Sequence, residues 1–171
     1  MVAPAGPGIG KTKDAQVMGA LKGKAQVPPG KQGGMDGQKW MNSAQIITKF
    51  FTQAFGSEEK ANQMLNLIAD KVKKKQIKLV QLGNTVFAVY PRPDKSAEFY
   101  TISVEPKHLA KRIESLFNTL KQMGFIKMYT LSITPESNKI AEETNLPFKR
   151  IQSQMMSGKQ MVPAYRYEVA L

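Results

Sequence analysis

Residues 5–12 read Ala-Gly-Pro-Gly-Ile-Gly-Lys-Thr. In a phosphate-binding loop this spacing lets backbone amides cradle phosphates, Lys11 reach the terminal phosphates and Thr12 hold magnesium. That chemistry needs a buried strand just before the loop and a helix just after it. Only Met-Val-Ala-Pro precedes it here, so the segment reads more simply as part of a basic, glycine-rich arm. Lys11, Lys13, Lys22 and Lys24 of that arm are candidate contacts for a polyanion. So are Lys71, Lys73, Lys74 and Lys75, although lysines at the C-terminal end of an expected helix also complement its dipole as solvated charge.

Other chemistries are closed off by composition. The chain has no cysteine, which excludes disulfides, thiolate catalysis and cysteine-based zinc sites. The single histidine, His108, cannot build a multi-histidine metal site and reads as a solvated or capping helix residue. No metal is expected. The ten methionines read as fillers of irregular cores and adaptable contact surfaces, not as ligands. Twenty-five Lys and Arg against 13 Asp and Glu give a net charge of +12, which attracts polyanions and acidic surfaces without dictating fold. Six lysines and two aspartates place +4 of it in residues 1–43. There is no membrane-spanning apolar run, no signal-peptide pattern and no glycine at position 2 for myristoylation. A soluble protein made in a cytosol, with no membrane anchor, is the expectation.

The chain divides at about residue 43. Residues 1–43 hold nine of the 13 glycines and four of the ten prolines, with no sustained hydrophobic period. Such a segment buries too little apolar surface to offset its own ordering entropy. It is expected to act as an arm that orders against a partner. Residues 44–171 have the periodicity of a mixed α/β domain. Ser43 is expected to cap a helix running to Phe55, with Ile46, Ile47, Phe50, Phe51 and Phe55 facing inward. Gly56 stops it, and Ser57 caps a second helix with Ala61, Met64, Leu65, Leu67, Ile68 and Val72 inward. The period then becomes two. Strands are expected over 77–82 and 85–90 about Gly83-Asn84, and over 98–104. A strongly amphipathic helix follows over 107–123, with Leu109, Ile113, Leu116, Phe117 and Leu120 inward. After it come a strand over 127–133, a short helix to about Asn145, and two strands over 148–155 and 164–170 joined by Ser157-Gly158 and a polar loop. The order is ααβββαβαββ, with a parallel crossover between 98 and 133 and antiparallel neighbours elsewhere.

That order resembles the GCN5-related N-acetyltransferase fold without its first strand. The closest local match is 138–148, Asn-Lys-Ile-Ala-Glu-Glu-Thr-Asn-Leu-Pro-Phe, in which Asn138, Ala141 and Phe148 fit the family's C-terminal helix segment. The resemblance implies an acetyl-CoA pyrophosphate lying on backbone amides where the third strand of the list above meets the next helix. The family has a glycine-rich turn there. This chain has Val-Glu-Pro-Lys-His-Leu-Ala-Lys-Arg-Ile over 104–113, without glycine, so side chains at His108, Leu109 and Ala110 are expected to crowd the phosphate path. Lys107, His108, Lys111 and Arg112 form a degenerate version of the loop that retains anion attraction. The tyrosine that active members place as general acid corresponds to Thr144 or Asn145. Glu105 is the one weak candidate for a base. The missing first strand would leave a sheet edge for the arm, or a neighbour, to fill.

An acetyltransferase-like domain without its cofactor turn, carrying a basic arm, is similar to small internal or connector-associated virion proteins of T7-type short-tailed bacteriophages. The resemblance implies a non-catalytic structural component, made in the host cytoplasm and located in the virion. It would dock on the portal, tail or internal core, need no cofactor, and touch packaged DNA through phosphates without sequence readout. Two other readings stay open. One is an active N-acetyltransferase using acetyl-CoA. The other is a basic nucleic-acid-binding adaptor.

Overall fold

The computed structural model describes the backbone of Ala25–Gln26 and residues 41–171 in full. The expected phosphate loop and Lys11, Lys13, Lys22 and Lys24 lie outside the described residues. The elements are β1 (Ala25–Gln26), α1 (Ser43–Phe55), α2 (Glu58–Lys73), β2 (Lys78–Leu82), β3 (Thr85–Pro91), β4 (Ser96–Ser103), a single 3-10 turn (Pro106–His108), α3 (Leu109–Gln122), β5 (Lys127–Ser132), α4 (Glu136–Glu143), β6 (Lys149–Ser157) and β7 (Gln160–Ala170). From α1 onward this is the expected ααβββαβαββ order of a mixed α/β fold. The chain forms two compact units. The first runs to Tyr90 and includes Thr101–Pro106; the second comprises Pro91–Tyr100 and Lys107–Leu171.

In the first unit α1 begins one residue earlier than the cap predicted for it. Asn42, not Ser43, is the N-cap. Its Oδ1 accepts from the Gln45 amide at 2.9 Å, and Gln45 Oε1 accepts from the Asn42 amide at 2.9 Å, a reciprocal capping box. This frees the Ser43 hydroxyl to turn inward and donate to Gln81 Oε1 at 2.9 Å. Gly56 ends α1 at φ 65°, a left-handed conformation that glycine adopts without a Cβ penalty. Ser57 caps α2 through the Lys60 amide at 3.2 Å. The core joins Ile46 and Ile47 of α1, Leu65, Ile68 and Val72 of α2, and Leu79, Val86, Ala88 and Ile102 of the strands. Leu67 departs from the expected inward stripe of α2 and is 49 % exposed; Asn62 and Ala69 are buried instead. Phe55, the last residue of α1, is also exposed.

β2 and β3 form an antiparallel hairpin closed by Leu82 and Thr85. Their residues are buried in succession, from Leu79 through Leu82 and from Thr85 through Val89. Strands buried on both faces need no alternation, so the one-sided burial that a period of two implies is not what these strands show. The edge left open by the missing first strand is filled by the arm: β1 pairs parallel with β2, Ala25 against Leu79 and Gln26 against Val80. That parallel pairing departs from the antiparallel arrangement expected everywhere outside the 98–133 crossover.

In the second unit β4 and β5 pair in parallel through three residues, Ser96–Glu98 against Lys127–Tyr129. β5 pairs antiparallel with β7, and β7 with β6. The crossover helix α3 buries Ile113, Leu116 and Leu120. It starts at Leu109 rather than at 107, because Pro106–His108 form the 3-10 turn. The last two strands are longer than predicted. No polar loop separates them; Ser157 pairs directly with Gln160 across a tight turn in which Gly158 takes φ 64°.

Candidate functional site

The segment joining β4 to α3 is where the resemblance would put phosphate chemistry. Glu105 does not stand free there. Its Oε1 accepts from the backbone amide of Asn84 at 3.0 Å and from the Thr85 hydroxyl at 3.4 Å. Its own amide donates to Ser103 Oγ at 3.1 Å, and Ser103 Oγ lies 2.8 Å from Thr85 Oγ1. The same turn is held from the other side. The Met41 amide donates to Asn84 Oδ1 at 2.9 Å, and Gln81 Nε2 donates to the carbonyls of Met41 and Gly83 at 2.6 and 3.0 Å. The weak catalytic candidate is thus a clamp on the β2–β3 turn.

Lys107 and His108 follow in the second unit. Both are exposed. His108 is the N-cap of α3 but makes no side-chain capping bond. The start of α3 thus lacks a side-chain cap from His108 and lies at the positive end of the helix dipole. Lys111 is exposed and Arg112 half-buried on the first turn.

The α4 segment is tied to its neighbours at each matched position. Asn138 donates through Nδ2 to Glu142 Oε2 at 2.8 Å and accepts from Arg150 Nη1 at 3.1 Å. Thr144 is buried, its hydroxyl donating to the Ala141 carbonyl at 2.8 Å. The Asn145 amide donates to Glu114 Oε2 of α3 at 3.1 Å. Neither side chain is an acid that can protonate a thiolate.

The lysines at the end of α2 are dispersed. Lys74 pairs with Asp70 at 3.0 Å, with both side chains more than half exposed. Lys71 lies 5.7 Å from the centre of the Tyr90 ring, and Lys75 adopts φ 60° just past the helix.

One constellation was missed in the sequence. Glu98 on β4 is only 7 % exposed. Arg92 and the Tyr100 hydroxyl donate to its two carboxylate oxygens, and the Tyr129 hydroxyl donates at 3.3 Å. Burial works against its charge, but the Tyr100 hydroxyl and then the Arg92 guanidinium outweigh that and hold its carboxyl below the usual carboxylate range. The hydrogen bond to Glu98 in turn pushes Arg92 further up. The row continues across the strands: Glu98 stands opposite Tyr129, and Tyr129 opposite Glu168. The Arg166 guanidinium lies 3.8 Å from the centre of the Tyr129 ring and bonds Glu168 at 3.1 Å; Lys127 reaches Glu168 at 3.7 Å. A carboxylate so fully paired stays ionised and is a poor proton acceptor. The available signal was the turn Pro-Arg-Pro-Asp over 91–94, which folds Arg92 back onto the strand two residues beyond the turn's end. Among the described residues no group of acidic and histidine side chains is placed to hold a metal.

No protein-family model matches the sequence, and no curated protein matches it. Solved structures do. The microcin C7 self-immunity acetyltransferase MccE, solved with acetyl-CoA and AMP, aligns at a TM-score of 0.55 and 9 % identity over 75 % of this chain and 84 % of that one. A chimera of the Vibrio cholerae spermidine N-acetyltransferase SpeG with hSSAT aligns at 0.54 and 14 % identity over 74 % and 89 %. The alpha-N-protein acetyltransferase RimL, solved with coenzyme A, aligns at 0.53 and 10 % identity over 75 % and 86 %. The chain has an acetyltransferase-like fold of the GCN5-related type.

Proposed function

We propose that this protein uses the acetyltransferase-like fold as a non-catalytic assembly module, a structural component of a bacteriophage virion docked on its portal, tail or internal core. One observation carries the non-catalytic half of the reading. The β4–α3 connection has Glu105 engaged on the Asn84–Thr85 turn and a Pro-Lys-His 3-10 turn where the resemblance implies glycine. Thr144 and Asn145, occupied with the α4 end, agree with it. The virion assignment rests on the basic arm and on the resemblance, since a fold hosts many functions. The net charge of +12 supports non-specific DNA contact through the lysines as part of this reading.

Active N-acetyltransfer is the second reading. It is favoured by the α3 amides that lack a side-chain cap and by Lys107, Lys111 and Arg112 beside them. The same fold in enzymes solved with coenzyme A or acetyl-CoA supports it equally.

Titration calorimetry of the full chain with acetyl-CoA separates the two. The assembly reading expects no saturable heat. Saturable binding that Lys111→Glu abolishes would establish the cofactor site and overturn the non-catalytic reading. Quantitative mass spectrometry of purified particles tests the virion half: a fixed stoichiometry is expected, and absence from particles sinks it.

A further inference from the structure

Among the described residues the β6–β7 hairpin presents an open edge. β6 pairs with β7 along all nine of its residues and lies last in the strand order. The turn determines which backbone groups that edge offers. Gly158 and Lys159 form a two-residue loop, so Ser157 and Gln160 close the hairpin as a hydrogen-bonded pair. Hydrogen-bonded pairs alternate from there through Met155, Ser153, Ile151 and Lys149. The N–H and C=O groups of Arg150, Gln152, Gln154 and Met156 therefore point away from β7. Pro163 agrees with this phase: it has no N–H and stands opposite Gln154, where none is needed.

Edge strands are usually blunted by charge, proline or a bulge. Residues 151–157, Ile-Gln-Ser-Gln-Met-Met-Ser, have neither charge nor proline, and their register with β7 is continuous. Ile151 is 42 % exposed, Met156 57 % and Met161, opposite Met156, 55 %.

We propose that a second copy of this chain occupies the edge, its β6 running antiparallel about a twofold axis through Ser153. The segment 151–155, Ile-Gln-Ser-Gln-Met, reads nearly the same in both directions. Pairing about Ser153 sets Ile151 against Met155, Gln152 against Gln154 and Ser153 against itself. Apolar meets apolar, amide meets amide, and the interface is isologous. The backbone agrees. Gln152 and Gln154 both present outward hydrogen-bonding groups, so they meet as a bonded pair. Moving the axis one residue along the strand in either direction keeps the backbone pairing but sets Ile151 against Ser157 or against Ser153. Charge agrees as well. Lys149 and Arg150 fall opposite Ser157 and Met156, so no cation meets a cation. The inference stands on the β6 edge alone and is independent of whether acetyl-CoA binds.

The absence of cysteine makes the axis testable. Ser153→Cys puts one thiol per chain on it. Residue 153 meets its counterpart in a non-hydrogen-bonded pair, where Cα atoms are about 4.5 Å apart, within the span of a disulfide. The full-length wild-type chain should scatter light as a dimer of twice its 19.0 kDa mass. On mild oxidation S153C should cross-link at least about tenfold faster than Lys159→Cys at the exposed turn. Ser153→Lys and Ser153→Glu should each weaken the dimer by about tenfold, and an equimolar mixture of the two should restore it. Circular dichroism checks that each variant is folded, and the near-isosteric S153C keeps the test open if the charged variants are not. A wild-type chain that stays monomeric at every concentration overturns the proposal and leaves the edge to a foreign strand. So does S153C cross-linking no faster than K159C, or a dimer indifferent to both charges.

Discussion

Among the described residues are two glycine-turned antiparallel hairpins with opposite fates. β2–β3 turns at Gly83, β6–β7 at Gly158, and both glycines take a positive φ near 60°. The first hairpin is buried almost throughout, and its turn is gripped by Glu105, Gln81 and the Met41 amide. The second is largely exposed, and a Cβ added at its turn glycine would meet nothing within 4 Å. Its root is held partly by charge, through the row of Glu98, Tyr129, Arg166 and Glu168 that joins β4, β5 and β7. The same local grammar thus gives a scaffold in one place and an available surface in the other. What separates them is the surrounding structure: the Glu105 side chain and the Met41 backbone reach the first turn from distant segments, with Gln81 of β2 beside them.

The comparison is broken most directly in the first hairpin. Phe87 of β3 is fully buried. Phe87→Ala should destabilise the protein by about 4 kcal/mol, the ordinary cost of removing a ring from a packed interior. Denaturant unfolding measures it, and a loss below about 1 kcal/mol would mean that β2–β3 is not the scaffold.

Arg92→Ala comes next and addresses the second hairpin's root. Breaking a buried ion pair costs about 3–5 kcal/mol, but Arg92 is partly solvated, which reduces the expectation to about 2 kcal/mol at neutral pH. The effect has a pH signature. The Glu98 carboxyl is held below its unfolded value, so its contribution is full above the ordinary carboxylate range and is lost as pH falls through the lower folded value. Without Arg92 part of that lowering is lost, while the Tyr100 hydroxyl retains its share. The stability gap between wild type and variant should therefore narrow below about pH 4. A gap constant from neutral pH down to pH 3 would show that the row does not anchor β7 by charge.

Much of this was legible in the sequence. The switch from helical to alternating periodicity at residue 77 reports where the chain stops making α1 and α2 and starts making strands. Gly56, Ser57 and Gly83-Asn84 mark boundaries because their backbone chemistry is local. The stripe of α3 is legible because one face alone is buried. Leu67 misleads because helical spacing gives a face but not its angular limits. Lys159-Gln160-Met161 lacks alternation and so reads as a longer loop, because the cross-strand partners that make Gln160 and Met161 a strand, Ser157 and Met156, lie on the other side of the turn. The candidate site was harder. Glu98 looks like an ordinary strand carboxylate until the 91–95 turn brings Arg92 over it. The role of Glu105 depends on Asn84, 21 residues away, a separation no local pattern carries.

Glu105 gives the smallest effect and the sharpest discrimination. If it clamps the first turn, Glu105→Ala leaves the Asn84 amide without its acceptor and costs about 1–2 kcal/mol. Glu105→Gln keeps a side-chain oxygen at the same reach and should recover most of that loss. A catalytic base behaves differently: Gln cannot take a proton, so both variants would be equally inactive while stability changed little. Thermal unfolding of the three proteins distinguishes the cases. Recovery in E105Q places Glu105 with the scaffold that separates the first hairpin from the second. Equal stability in all three would release it from the turn and return it to the list of groups available for chemistry.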